Sequence, residues 1–146
     1  MIATAPVLYA GAFLVGSLLH SQFPMRIVSP GVASWATMGL LFFGAVLAVW
    51  SRRVLERAHT NVHPSLPTTT LVVTGPFRFS RNPMYVARTV LYLGLAFWVN
   101  ALCVLVALVP LLAIIHCGVV RREERYLATK FGDAYRQYQS TVRRWL

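Results

Sequence analysis

Charge is what this sequence has least of. Only 12% of its 146 residues are charged, about half the roughly 25% usual in a soluble domain. Just four are acids: Glu56, Glu123, Glu124 and Asp133. No paired-carboxylate hydrolase site, Ser-His-Asp set or glycine-rich phosphate loop can be assembled from such an inventory. Two cysteines and nine glycines exclude a disulfide scaffold and a collagen-like chain. Within one helix Cys103 and Cys117 stand about 21 Å apart at 1.5 Å per residue, beyond bridging distance, and are expected as buried thiols. The histidines offer little more. His20 and His116 fall in different apolar runs, and His59 and His63 are followed by Pro64, so no metal site is expected.

What is present is apolar surface. At 57% hydrophobic content and a mean hydropathy of +0.59, the chain has a membrane composition and too much apolar surface for disorder. Each crossing takes about 20 residues, so four crossings use more than half the chain and leave no room for a soluble catalytic domain. The expected fold is an all-α integral membrane protein of about four transmembrane helices, over 7–23, 31–51, 84–99 and 101–120. A loop over 52–83 and a C-terminal amphipathic interfacial helix over 121–140 complete a single domain. The first run lacks the basic flank and cleavage site of a signal peptide and is read as a retained span. Gly39, Gly44 and Ala48 in the second should admit a neighbouring helix. The 37 residues from Met84 to Val120 carry one charge, Arg88. As one helix they would measure about 56 Å, so two spans joined near Asn100 are expected, with Pro110 kinking the second.

The net charge of +10 would suggest nucleic acid in a soluble chain. Here the basic residues bracket apolar runs, which is the positive-inside pattern, and no nucleic acid partner is expected. Arg26 alone lies between the first two spans. The others fall in the central loop, just inside span three, or in the tail, giving an N-in/C-in arrangement with loop and tail cytoplasmic. The expected location is the inner membrane if the protein is bacterial and the endoplasmic reticulum if it is eukaryotic.

On a helical wheel Val120, Leu127, Phe131, Ala134, Tyr135, Tyr138 and Val142 share one face, and Arg121, Arg122, Arg125 and Arg136 the other. Two charges sit awkwardly in this scheme. Glu124 falls inside the apolar stripe and Glu123 at its margin, where a carboxylate needs a partner. That partner is either an arginine, Arg121 or one from the central loop, or a bound cation. Arg88, one turn inside the third span, either snorkels to the headgroups or serves a site. Tyr126, Tyr135, Tyr138 and Trp145 suit an interfacial aromatic belt.

Four motifs then resemble a known superfamily. Gly75-Pro76-Phe77-Arg78-Phe79-Ser80-Arg81-Asn82-Pro83-Met84-Tyr85 resembles the G-P-[YF]-[RK]-[YF]-x-R-[HN]-P-x-Y signature of the integral-membrane methyltransferases. These comprise the isoprenylcysteine carboxyl methyltransferase and phospholipid N-methyltransferase branches. Glu123-Glu124-Arg125-Tyr126-Leu127 is similar to their E-E-x-x-L, and Phe131 to Tyr138 to F-G-x-x-Y-x-x-Y. Val142-Arg143-Arg144-Trp145 is similar to V-[PR]-R-[WF]. Asn82 stands where the prenylcysteine branch has histidine, Arg143 where many members have proline, and Ala87 where glycine is common.

The resemblance implies a SAM (S-adenosylmethionine)-dependent methyltransferase acting on a lipophilic acceptor drawn from the bilayer. The acceptor would be a prenylcysteine carboxylate, an aminophospholipid or another small lipophilic group. It implies that Arg81, Asn82, Pro83 and Tyr85 line a cofactor pocket on the cytoplasmic side, facing Glu123 or Glu124. The wheel favours Glu124 for the cofactor's cationic part. Arg144 matches the terminal arginine near the acceptor channel. Glu124, Arg144 and Arg88 are the catalytic candidates, and S-adenosylhomocysteine would be the product. A competing class is a non-catalytic membrane protein that binds anionic lipid or a protein partner. A transporter fits less well, because the spans are nearly empty of ionisable residues.

Overall fold

The computed structural model describes residues 4–59 and 68–146. Among them every regular element is helical. The helices are α1 (Thr4–Gln22), α2 (Pro30–Arg57), α3 (Pro83–Trp98), α4 (Leu102–Ile114), α5 (Arg121–Phe131) and α6 (Asp133–Thr141), with a 3₁₀ turn at Gly75–Arg78 and a π-helical turn at Ile115–Val120. Proline opens α2 and α3 at the first helical position, where its missing N–H costs nothing and its fixed φ suits the helix. Two helices are long and apolar enough to cross a bilayer: α2, and the uninterrupted 30-residue run Leu102–Phe131.

That run differs from the expected pattern. The amphipathic segment is not a separate helix starting at 121, because α4 passes through the π turn directly into α5. The break falls later, at Gly132, whose φ of +54° is a conformation that glycine adopts without the Cβ clash of other residues. α2 also outlasts the expected span end and continues to Arg57. Its last turns carry an Arg52–Glu56 pair at 2.7 Å, the i, i+4 spacing that supports an exposed helix end. Of the expected loop, 60–67 lie outside the described residues, and with them His63, Pro64 and Pro67.

The helices pair as α2 with α3 and α1 with α4. Small residues set the spacing. A Cβ on Gly16 would lie 2.7 Å from the Val104 backbone, one on Gly44 2.8 Å from Leu91, and one on Gly94 2.7 Å from Leu41. Gly44 thus acts as expected, whereas Gly39 faces open space. Tyr92 ties the pairs together: its hydroxyl donates to the Val104 carbonyl at 2.9 Å, and its ring meets Tyr9 and Phe13. The core runs through Ala5, Tyr9, Tyr85, Tyr92, Val104, Ile115 and Val120. Cys103 is half-buried and Cys117 exposed, correcting the expectation of buried thiols. Their helix is apolar all round, so periodicity cannot tell its inner face from its outer one.

Both short loops meet at one end of the bundle. Asn100, at the expected joint and with φ of +48°, accepts from the Ile27 and Val28 amides and donates to the Val28 carbonyl at 2.8 Å. Leu102 N–H adds a bond to the Met25 carbonyl. At the opposite end the signature segment meets the C-terminal tail.

The close approach of α1 to α4 generates a test. Gly16→Ala must displace backbone and should cost about 1–3 kcal/mol, lowering the thermal midpoint of the detergent-solubilised protein. Gly39→Ala, with nothing to meet, should leave the midpoint unchanged or raise it, since alanine is the better helix former.

Candidate functional site

The segment 75–82 makes one turn and then feeds α3. Gly75 holds φ of +61° against Val54 and Trp50 of α2, a conformation and a closeness that both favour glycine. The 3₁₀ turn follows, and its Phe77 carbonyl accepts from the Tyr138 hydroxyl at 2.6 Å. Next the chain runs alongside the tail. Arg81 N–H donates to the Arg143 carbonyl at 3.0 Å, and the Asn82 side-chain amide donates to the Arg144 carbonyl at 3.0 Å. Ser80 Oγ reaches that carbonyl at 3.4 Å and accepts from the Asn82 backbone N–H. Ser80, Arg81 and Asn82 therefore hold the join between signature and tail, and Pro83 after them is fully buried.

Under this join lies Glu124, 8% exposed, as its place in the apolar stripe requires. Arg144 grips it with both arms, Nε to Oε1 at 2.9 Å and Nη2 to Oε2 at 2.8 Å. Arg81 Nη1 approaches Oε1 at 3.2 Å. The arginine alternative weighed for Glu124 is realised, by Arg81 of the central loop together with Arg144 of the tail. A planar guanidinium matches a carboxylate bidentately, which fixes direction as well as distance. The hydrogen bonds to Glu124 raise the Arg144 pKa above its ordinary value. Tyr135, 2% exposed, packs beside Arg81. Burial raises its pKa and the Glu124 charge adds to the effect, while Arg81 opposes both. Burial pushes Tyr138 up to about 12.

Glu123 is held differently. Its Oε2 accepts from the Tyr85 hydroxyl at 3.1 Å, and among the described residues no basic side chain lies at ion-pair distance from it. Arg88 sits one helical turn from Tyr85 with its guanidinium 5.5 Å from the centre of that ring, a cation–π arrangement. Arg88 thus lies over the Tyr85 ring, beside the Tyr85–Glu123 pair. The structure brings Arg81, Asn82, Pro83, Tyr85, Arg88, Glu123, Glu124 and Arg144 to one end of the bundle.

The sequence left other participants unnamed. Tyr9 of α1 shares a hydrogen bond with Thr89 Oγ1 at 2.9 Å, and Thr89 donates to the Tyr85 carbonyl. A lone tyrosine in an apolar run gives no signal until packing places it against a polar partner. The tyrosines expected in an aromatic belt divide. Tyr126 is exposed, whereas Tyr135 and Tyr138 are core residues, because α6 turns back after Gly132 and puts them under the signature. Trp145 donates Nε1–H to His116 Nδ1 at 3.3 Å, with the two rings 6.0 Å apart, and so anchors the tail on the π turn. Such turns are frequent at functional positions. No three His, Cys, Asp or Glu side chains among the described residues could share a metal ion.

A family model described as phospholipid methyltransferase matches residues 32–134, from α2 to the start of α6. The chain is 30% identical over 123 residues to the cobalt-zinc-cadmium resistance protein CzcN of Cupriavidus metallidurans, a match covering 83% of this chain and 53% of that protein. It is 35% identical over 63 residues to an uncharacterized protein of Haemophilus influenzae, covering 43% of this chain and all of that one. The chain spans about half the length of the first of these relatives. No solved structure matches.

Two expectations follow from the geometry. Glu124→Gln strands two arginines and should lower stability by about 2–4 kcal/mol, somewhat under the range for a fully buried pair because Arg144 is about one-third exposed. Glu123→Gln still accepts from Tyr85 and should cost under about 1 kcal/mol. Denaturant unfolding of both variants measures the contrast. In alkali, a phenol whose folded pKa lies above its unfolded value of about 10 favours the fold below that value and loses the contribution as pH rises through the folded pKa. The tail should therefore loosen between about pH 10 and about 12, and Tyr138→Phe should shrink that step when it is followed by limited proteolysis.

Proposed function

The chain belongs to the phospholipid methyltransferase family, and on that premise we propose that it transfers a methyl group from SAM to a lipophilic acceptor at the membrane. One observation carries the reading. The two motifs that name the superfamily, about 40 residues apart in sequence, join side chain to side chain, Tyr85 with Glu123 and Arg81 with Glu124. The acceptor class is a prenylcysteine carboxylate, an aminophospholipid or another small lipophilic group. A phospholipid headgroup amine is the natural first choice within this family.

The residues suit the cofactor in charge. SAM carries a sulfonium, an ammonium and a carboxylate. Glu123 offers an anion whose hydrogen-bond partner is a neutral hydroxyl, and it is the better candidate for the cationic part. Glu124, favoured by the helical wheel, already has both oxygens engaged by arginines. Arg81 and Arg144 place two cations on that one anion, and the surplus positive charge suits a carboxylate. When bound, SAM supplies an activated methyl group on a cationic sulfur.

The protein's own part is then chiefly positioning, which by itself can lower a barrier by several kcal/mol. Tyr85 fixes the Glu123 carboxylate and is steadied from behind by Thr89 and Tyr9. Arg88, stacked on Tyr85, orients an anionic acceptor or the headgroup phosphate of a phospholipid. The tail, clasped by Ser80, Asn82 and Glu124, closes the site against water, which protects a sulfonium from competing attack. An amine acceptor must also lose a proton, and Glu123 supplies a carboxylate that can take it. Four membrane spans with both termini on the cytoplasmic side complete the picture, the cofactor entering from that side and the lipid from the bilayer.

The test is methyl transfer itself. Membranes containing the protein should move label from methyl-labelled SAM into the lipid-extractable fraction. Glu123→Gln should reduce this at least tenfold at unchanged protein level, and Arg88→Gln should raise the KM for the acceptor more than that for the cofactor. Folded protein that transfers nothing to any lipid fraction would favour the non-catalytic lipid-binding reading.

A further inference from the structure

The outward face of α2, opposite the face packed on α3, carries a groove of about 560 Å³. Its walls are Phe42, Val46, Val49 and Trp50, and its far end is closed by Arg53 and Arg57. Phe42 is 74% exposed, and Val46, Val49 and Trp50 are exposed with it. The arginines are four residues apart, so they stand one above the other on this face. Neither has a carboxylate within ion-pair distance among the described residues, although Arg52 beside them is paired with Glu56. None of the residues that line it belongs to the Glu123 and Glu124 cluster.

We propose that this groove is a binding site for one anionic phospholipid, its acyl chain along Phe42, Val46 and Val49 and its phosphate between Arg53 and Arg57. Three features fit that occupant. First, the rise from Phe42 to Arg53 is about 16 Å at 1.5 Å per residue, the depth of one leaflet of a hydrocarbon core about 30 Å thick. Second, Trp50 sits at the boundary between apolar wall and basic end, where an indole prefers the headgroup level. Third, two unpaired guanidinium groups present forked donors to a phosphodiester and match its charge.

A second copy of the chain suits the groove less well. Two-fold pairing through this face would bring four like charges toward one another at the arginine end. The groove also borders the signature, because Gly75 abuts Trp50 and Val54 of the same helix. A lipid held here would therefore brace the turn that leads into Arg81 and Asn82.

Native mass spectrometry of the full chain, released from detergent with equal phosphatidylglycerol and phosphatidylcholine, tests the site. The wild type should retain one phosphatidylglycerol at least thirtyfold in preference to phosphatidylcholine. Arg53→Gln/Arg57→Gln should lower that preference about thirtyfold, from about fivefold per basic residue near an anionic surface. Arg121→Gln/Arg122→Gln removes the same charge from α5 and should leave the preference intact, with circular dichroism confirming helix content in both. Equal retention of the two lipids, equal loss in both double variants, or a dimer that Phe42→Arg dissolves would overturn the proposal. None of these readouts depends on methyl transfer, so the outcome stands whether or not the protein is catalytic.

Discussion

One buried carboxylate organises the end of this molecule where the signature segment meets the tail. Glu124 lies in the apolar stripe of α5, where an unpaired charge would cost several kcal/mol. It is tolerated because Arg81 comes to it from the signature segment and Arg144 from the tail. Three pieces of chain distant in sequence are thereby fixed in register. A buried ion triad of this kind is weak evidence for stability, since well-packed apolar residues can do as well. Its directional, two-armed geometry is better suited to specifying where the tail lies. The backbone bond from Arg81 to Arg143 and the bond from the Asn82 side chain to the Arg144 carbonyl depend on that placement and repeat it.

Adjacent residues on α5 consequently have different surroundings. Glu124 points under the tail into arginines, and Glu123 points toward α3 and Tyr85. Neighbouring positions on a helix differ by about 100°, so an E-E pair can serve two directions at once. Under the proposed function the arrangement separates scaffold from chemistry. One carboxylate is consumed in holding the site together, and the other keeps a neutral partner and remains able to meet a cation. The family model matches residues 32–134, so Arg144, Trp145 and the α1 residue Tyr9 reach the cluster from outside the matched region.

The legible parts of the structure are those with a local cause. Apolar run lengths gave the helices, prolines their starts, and the 3.6-residue period put Glu124, Tyr135 and Tyr138 on one face. Gly132 is a familiar helix-stop signal and could have marked the break that a 121–140 helix passes over. The π turn at Ile115–Val120 could not be read, because a widened turn leaves no composition behind. The partners of Glu124 were only half legible. A central-loop arginine was an evident choice, but Arg144 reaches Glu124 only because α6 folds back after Gly132. The exposure of Cys117 and the pairing of Tyr9 with Thr89 were likewise hidden. In a helix apolar on every side only tertiary packing distinguishes the faces.

Calorimetric titration of the detergent-purified protein with SAM tests the assignment of the two carboxylates most directly. Wild-type protein should bind at micromolar concentration, and folded Glu123→Gln should bind at least tenfold more weakly. Undiminished binding by Glu123→Gln, or no binding by well-folded wild type, would contradict the division of labour between Glu123 and Glu124.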